Sequence, residues 1–508
     1  MIRYGVRLLT AVAVAALLSV AGCSGETDKA GGTKPAQAVV LHMLNTRSAG
    51  EVQPFLDKVG ELSGGALRLE GHEKWGIGST TSEVDAIRAI QAGQADLAIV
   101  PARAWHDVGV TSFDALIAPL TVESMALQER VLSGDLPARM LAGLQPVGLT
   151  GIGILPGPMR KPAGITRSLL APSDYRGTTI GFNRSAVADR ALRALGAHPV
   201  ASPFERADIS MFDGIEFQAG GVASNQYDDT VHTITANVNL WPRPLVVFGN
   251  AKAMRQLSDG QVSWLRSAAR NAVASTTQAQ MTGETQDIAT MCRRGRIEFV
   301  TATPRQVAQL RSAFQPVYAW LRQNKQTSRF LDEVAVLRAS GIRPFPQESL
   351  TCAGVAPAGP ATSSPVSTAP TPFDGTYRMV ITEQEWRRND PQASPENWGN
   401  IIWVFGRGRF ASTQENPAAC TWAYGTYVVS GQRIEWTYID GGGFAPTHAQ
   451  NKPGEHFVMR WSRYRDTMTL ITIAPADVVM DPWHRLSGTP SAGYLSKRCP
   501  PPAQALVR

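Results

Sequence analysis

The stretch 172–200, PSDYRGTTIGFNRSAVADRALRALGAHPV, has the residue types and spacing needed to hold an anion. Thr178, Thr179, Ile180 and Phe182 read as a short buried strand, because β-branched and aromatic side chains suit a packed pleated surface. Ser185 caps a following helix whose Val187, Ala191, Leu192 and Leu195 recur at helical spacing, and Gly196 stops it in a left-handed conformation. A strand running straight into a helix aims several backbone N–H groups at one place, which attracts negative charge. Asn183 and Arg184 stand at that junction, and a guanidinium can fork onto a carboxylate. Arg103 follows a second apolar run, DLAIV at 96–100, where a cleft side chain is expected. Trp105, Phe182, Phe217 and Trp241 offer an apolar or stacking wall, and Glu216, Asn225 and Gln226 offer polar groups near strand ends. A plainer role competes for each: solvated surface for an arginine, core packing for an aromatic.

Other chemistry has no signature. The sequence holds no GxSxG elbow, no HExxH and no P-loop. Its 8 histidines are scattered, with His106 and His232 alone near the expected cleft. Asp213 and Glu216 read more simply as a turn aspartate and a cleft acceptor than as a catalytic pair. The expectation is a binding protein rather than an enzyme, with no cofactor and no metal.

The elements that must position these residues begin with VVLHML at 39–44, a buried strand. A helix over 51–62, a strand over 66–70, a helix over 80–92 and the DLAIV strand follow. This βαβαβ alternation predicts an α/β lobe with a largely parallel sheet. Helices are expected over 259–280 and 304–338, the second with Val307, Leu310, Phe314, Val317 and Leu321 on its core face. Residues 353–372, AGVAPAGPATSSPVSTAPTP, have nothing to bury and read as a linker. Beyond it, period-two alternation, aromatic enrichment and tight Gly turns predict an antiparallel β-barrel or half-barrel over 373–490, then a tail over 491–508.

At 508 residues two to four domains are expected. A hydrophobic content of 43% with 18% charged residues is that of a folded chain. The net charge of +7 is small for this length, and the densest basic cluster is Arg293, Arg294 and Arg296. A nucleic-acid partner is therefore not expected. Residues 1–22 read as a signal peptide: Arg3 and Arg7 precede an apolar run over 8–20 that is short for a membrane span. The run ends in Val20-Ala21-Gly22-Cys23, which resembles a bacterial lipobox, so Cys23 is the expected lipidation site and 23–38 a tether. Four cysteines remain, which allow three pairings. The linker separates them two and two, favouring Cys292–Cys352 and Cys420–Cys499 as structural staples.

Several runs, taken in order, resemble the solute receptors of tripartite ATP-independent (TRAP) transporters, the dicarboxylate-binding type. They are SGGALRLE, EVDAIRAIQAGQADLAIV, SFDALIAPLTVES, DYRGTTIGF, RALRALGAHPV, FDGIE and LSDGQVSWLRSAARNA. The resemblance covers 39–340 and implies a two-lobed periplasmic-binding-protein (type II-like) fold over 39–352, closing on a ligand in a cleft. It also implies a small-molecule ligand with a carboxylate, a membrane permease as partner, and an extracytoplasmic place on the outer face of the cytoplasmic membrane. Arg160 lies where such receptors often place a ligand-side arginine. The family's strand arginine is replaced by Gly181, and the asparagine after its D-G-x-E by Phe217, which points to shape and stacking in the cleft. DGTYR, GTYVVSG and DPWHRL in the last domain are similar to a lipocalin-like module. The alternative to a transport receptor is a ligand-sensing or cell-envelope interaction lipoprotein without a dedicated permease.

Overall fold

A computed structural model of the chain describes residues 38–502 except 47–48, 73–74, 77–78, 205–207, 226, 342–344, 346–349, 353–368, 385–397, 431–432, 445–453, 455, 465 and 475–478. Cys23, Gln226, the leader, the tether up to residue 37 and most of the linker lie outside the described residues.

The first twelve strands are β1 (Val39–Asn45), β2 (Leu67–His72), β3 (Leu97–Pro101), β4 (Leu149–Leu155), β5 (Met159–Gly164), β6 (Thr179–Phe182), β7 (His198–Ala201), β8 (Gly214–Phe217), β9 (Thr233–Thr235), β10 (Trp241–Pro242), β11 (Leu245–Asn250) and β12 (Glu298–Val300). They build two sheets, ordered β2-β1-β3-β11-β4 and β12-β9-β5-β8-β6-β7, with β10 paired to β5. In the first, β1, β2 and β3 are parallel because the helices Ala49–Ser63 and Ser82–Gln91 intervene and carry the chain back. Strand β3 is buried along its whole length, as a strand packed on both faces must be.

The chain leaves the first sheet at Leu155, enters the second at Met159, and returns between Pro242 and Leu245. These two crossings lie side by side: the Arg243 amide donates to the Pro158 carbonyl at 3.0 Å. The buried side chain of Gln128 holds the first crossing from both sides, donating to the Gly157 carbonyl at 2.8 Å and accepting from its amide at 3.0 Å. Gly157 has to be glycine, since a Cβ there would stand 1.9 Å from the Arg243 carbonyl oxygen.

A third link is the helix Asp259–Arg294, 36 residues long and so about 54 Å from end to end. Its Leu265, Ala268, Ala269 and Ala272 pack under the first sheet, and its Ile288, Met291 and Cys292 under the second. The sequence pattern ends this helix at residue 280; the structure carries it on through Gly283 to Arg294, because burial of Ile288 and Met291 stabilises a polar stretch that propensity alone would not hold. A capping box between Ser258 and Gln261 starts it, and Gly295 at φ +67° ends it. The single helix expected over 304–338 is instead three, Pro304–Ala313, Gln315–Leu321 and Lys325–Ala339. Pro316 cannot donate into a continuous helix, and Asn324 caps the last one.

Among the described residues eight further strands, from Gly375–Ile381 to Val479–Ser487, pair antiparallel in chain order, and the last returns to the first to close a barrel. Tyr377, Trp403, Phe405, Phe410, Trp436 and Trp483 fill its interior. Two disulfides, Cys292–Cys352 and Cys420–Cys499, match the two-and-two pairing. Among the described residues no helix is long and apolar enough to cross a membrane.

Candidate functional site

Arg160 is the second residue of β5, just past the first crossing, and neighbouring strands set its surroundings by register. Trp241 of β10 lies directly opposite it, while Glu216 and Phe217 of β8 lie opposite Pro162 and Lys161. Arg160 and Glu216 are 1% and 2% exposed, so each charge needs a partner inside the protein. The Arg160 Nε donates to Glu216 Oε1 at 2.6 Å, and Nη2 donates to Glu216 Oε2 at 3.0 Å. Nη2 also reaches the Glu216 carbonyl and Asn183 Oδ1, both at 2.8 Å, and Nη1 donates to Gln218 Oε1. Trp241 Nε1 adds a 2.8 Å bond to Glu216 Oε1, and the Phe217 ring lies 4.7 Å from the guanidinium carbon. The result is a bidentate ion pair in which most N–H groups of the arginine already have acceptors.

Gly181 of β6 stands beside this cluster. A Cβ there would fall 2.7 Å from the Phe212 ring and 3.1 Å from Ile215, so the two side chains fill the space an arginine would need. The nearby Tyr175 hydroxyl is fully buried without a hydrogen-bond partner among the described residues, and burial pushes its pKa well above the ordinary phenol value.

The structure thus brings Arg160, Asn183, Glu216, Phe217 and Trp241 together. It does not bring Arg103 with them: that side chain is buried in a bidentate pair with Glu83, Nε–Oε2 3.0 Å, which ties the end of β3 to the helix Ser82–Gln91. Trp105 packs edge-on to Phe248, and the Asn225 side chain donates to the Gly221 carbonyl. Both carry packing or turn roles.

Arg184 and Phe182 line a separate, open groove of about 700 Å³. One wall is the helix Ala186–Ala194, which Ser185 caps by accepting from the Ala188 amide and which Gly196 follows at φ +84°. The other wall is His106, Asp107 and Trp320. Arg184 pairs with Asp107 at 2.8 Å and Arg193 with Asp189 at 2.8 Å. The Arg190 guanidinium sits 4.3 Å over the Trp320 ring. His106 Nδ1 lies 2.8 Å from the buried Asp114 Oδ2, and this hydrogen bond raises the imidazole pKa above 6.5. Sequence reasoning missed Gln218, Arg190 and Trp320. Arg190 had a signal, lying six residues beyond Arg184 on the capped helix. Trp320 had none, being far away in the chain.

The model of the bacterial extracellular solute-binding protein family 7, DctP, matches residues 42–325. The chain belongs to that family. Solved structures agree on the fold of this family 7 receptor. A TRAP periplasmic solute-binding protein from Xanthobacter autotrophicus Py2, with bound β-D-galacturonate, is 18% identical with a TM-score of 0.52 over 58% of this chain and 99% of its own. One from Roseobacter denitrificans, with bound β-D-glucuronate, is 17% identical with a TM-score of 0.52 over 58% and 99%. One from Shewanella oneidensis, with bound succinate, is 16% identical with a TM-score of 0.52 over 59% and 99%. No curated protein matches the chain. In this family member the barrel strands, from Gly375 onward, lie beyond the matched residues.

Proposed function

We propose that this chain is a lipid-anchored extracytoplasmic receptor that captures a small organic acid, or a related polar metabolite, and presents it to a membrane permease. The observation that carries the reading is two sheets joined by paired crossings, with fixed cationic and polar side chains where the lobes meet. Such a junction can close on a solute and exclude water without any bond being made or broken. The family's solved relatives supply the ligand class: galacturonate, glucuronate and succinate are all carboxylates. Cys23 is the proposed attachment point for the lipid.

A thermal-shift series on the full chain with glucuronate, galacturonate and succinate tests this. A ligand at a hundredfold its Kd adds about 2.7 kcal/mol to stability. A saturable rise in Tm with at least one acid is expected, and a flat response to organic acids, sugars and amino acids alike would sink the reading. Mass spectrometry of the cell-envelope protein should find Cys23 as a diacylated N-terminus.

The closed barrel supports a second reading, in which the receptor lobes sense a ligand and the β module, lipocalin-like in its sequence, engages an envelope partner. Uptake of the ligand that depends on this chain and an associated permease separates transport from sensing.

A further inference from the structure

Resting on the receptor reading, the remaining question is which cation meets the acid. Arg160 is enclosed and bound to Glu216, Gln218 and Asn183, and position 181 has no side chain to offer. The groove under the helix Ala186–Ala194 differs in both access and charge. Its volume of about 700 Å³ falls within the roughly 300–1,000 Å³ usual for small-molecule sites. Arg184 and Arg193 are each matched by an aspartate of the same groove, Asp107 and Asp189, and His106 is matched by Asp114. Arg190 has no carboxylate partner among the described residues, and its guanidinium carbon lies 4.3 Å over the Trp320 ring. Arg190 is therefore the groove arginine whose solvent-facing guanidinium is not already taken by a carboxylate among the described residues, and the indole lies beneath it.

We propose that this groove holds the acid's carboxylate, with Arg190 as the ligand-side guanidinium and Trp320 as the wall that orients it, and that the site suits a monocarboxylate. A guanidinium stacked on an aromatic face still presents its N–H edges in the ring plane, where a carboxylate can take two of them. One arginine without a carboxylate partner among the described residues offers its fork to one carboxylate. A second carboxylate would have to compete with Asp107 or Asp189 for Arg184 or Arg193. The site joins the lobes, since Arg184 and Arg190 follow β6 of the second sheet while His106 and Asp107 follow β3 of the first. Occupancy therefore favours the closed arrangement.

The test is isothermal titration of the full chain with glucuronate, galacturonate and succinate, on the unaltered protein and on Arg190→Ala, Arg190→Lys and Trp320→Ala. The unaltered chain should bind a uronate more tightly than succinate. Arg190→Ala should weaken the uronate by about tenfold or more, as expected for losing a charge-assisted pair, with Tm of the free protein unchanged. Arg190→Lys should recover part of the affinity, and Trp320→Ala should weaken binding by a smaller factor. Uronate affinity in Arg190→Ala within twofold of the unaltered chain overturns the assignment and leaves the receptor reading intact. Tighter binding of succinate than of either uronate overturns the monocarboxylate claim. Binding of no acid by the unaltered chain removes the receptor reading itself, and this inference with it.

Discussion

The two arginine sites at the junction of the lobes use the same side chain in opposite ways. Arg160 is buried, so water cannot solvate it, and the fold supplies Glu216, Gln218, Asn183 and the Phe217 ring in its place. Arg190 faces solvent and needs only the Trp320 face to fix its direction. An uncompensated charge in the interior costs several kcal/mol, whereas one at the surface costs little. An arginine kept free for an outside anion is thus found more readily at an open lip than in a packed centre.

That contrast can be broken at its strong end first. Glu216→Ala strands the Arg160 charge in the interior and should destabilise the receptor by about 3–5 kcal/mol, read from the denaturant midpoint at constant slope; a loss under 1 kcal/mol would mean that the pair is not the anchor of the site. Gly181→Ala comes next. Its methyl would meet the Phe212 ring at 2.7 Å, and overpacking of this kind costs about 1–3 kcal/mol. A neutral outcome would show that Phe212 moves easily and that the space beside β6 is adaptable.

The His106–Asp114 pair sharpens the groove side of the comparison. Its hydrogen bond raises the His106 pKa in the folded state, so the stability it contributes is fully present below about 6.5 and is lost as pH climbs through the raised value. Asp114→Asn should therefore reduce stability more at pH 6 than at pH 8, and should move the imidazole titration seen by NMR to lower pH. An unchanged titration midpoint would remove Asp114 as its cause. The smallest effects belong to the exposed pairs. Arg184→Ala breaks a bridge whose arginine is half exposed, and should cost no more than about 1 kcal/mol. A larger loss would mark that bridge as a clamp between the lobes rather than a surface contact.

The helix after β6 was legible in detail. Ser185 as its cap, the inward Val187, Ala191 and Leu192, and the left-handed Gly196 are all local features, written in a dozen consecutive residues. The same holds for the parallel β1–β3 unit and for the antiparallel β texture after the linker. The helix 259–294 was half legible, because its far end is polar and is helical only where the second lobe buries Ile288 and Met291. Arg103 misled for a related reason. Its place after a strand end suits a cleft, yet Glu83, on a helix passed earlier in the chain, reaches it and takes its fork.

Composition, periodicity and turn residues determined most of the elements and their order, though not every helix boundary, because hydrophobic spacing, caps and glycine conformations act over a few residues. Which arginine is left with a free charge was decided only in three dimensions. Glu216 reaches Arg160 across 56 residues and Trp320 meets Arg190 across 130. Charge neutralisation in a protein depends on which side chains are within a few ångströms, and the packing of the lobes alone sets those distances.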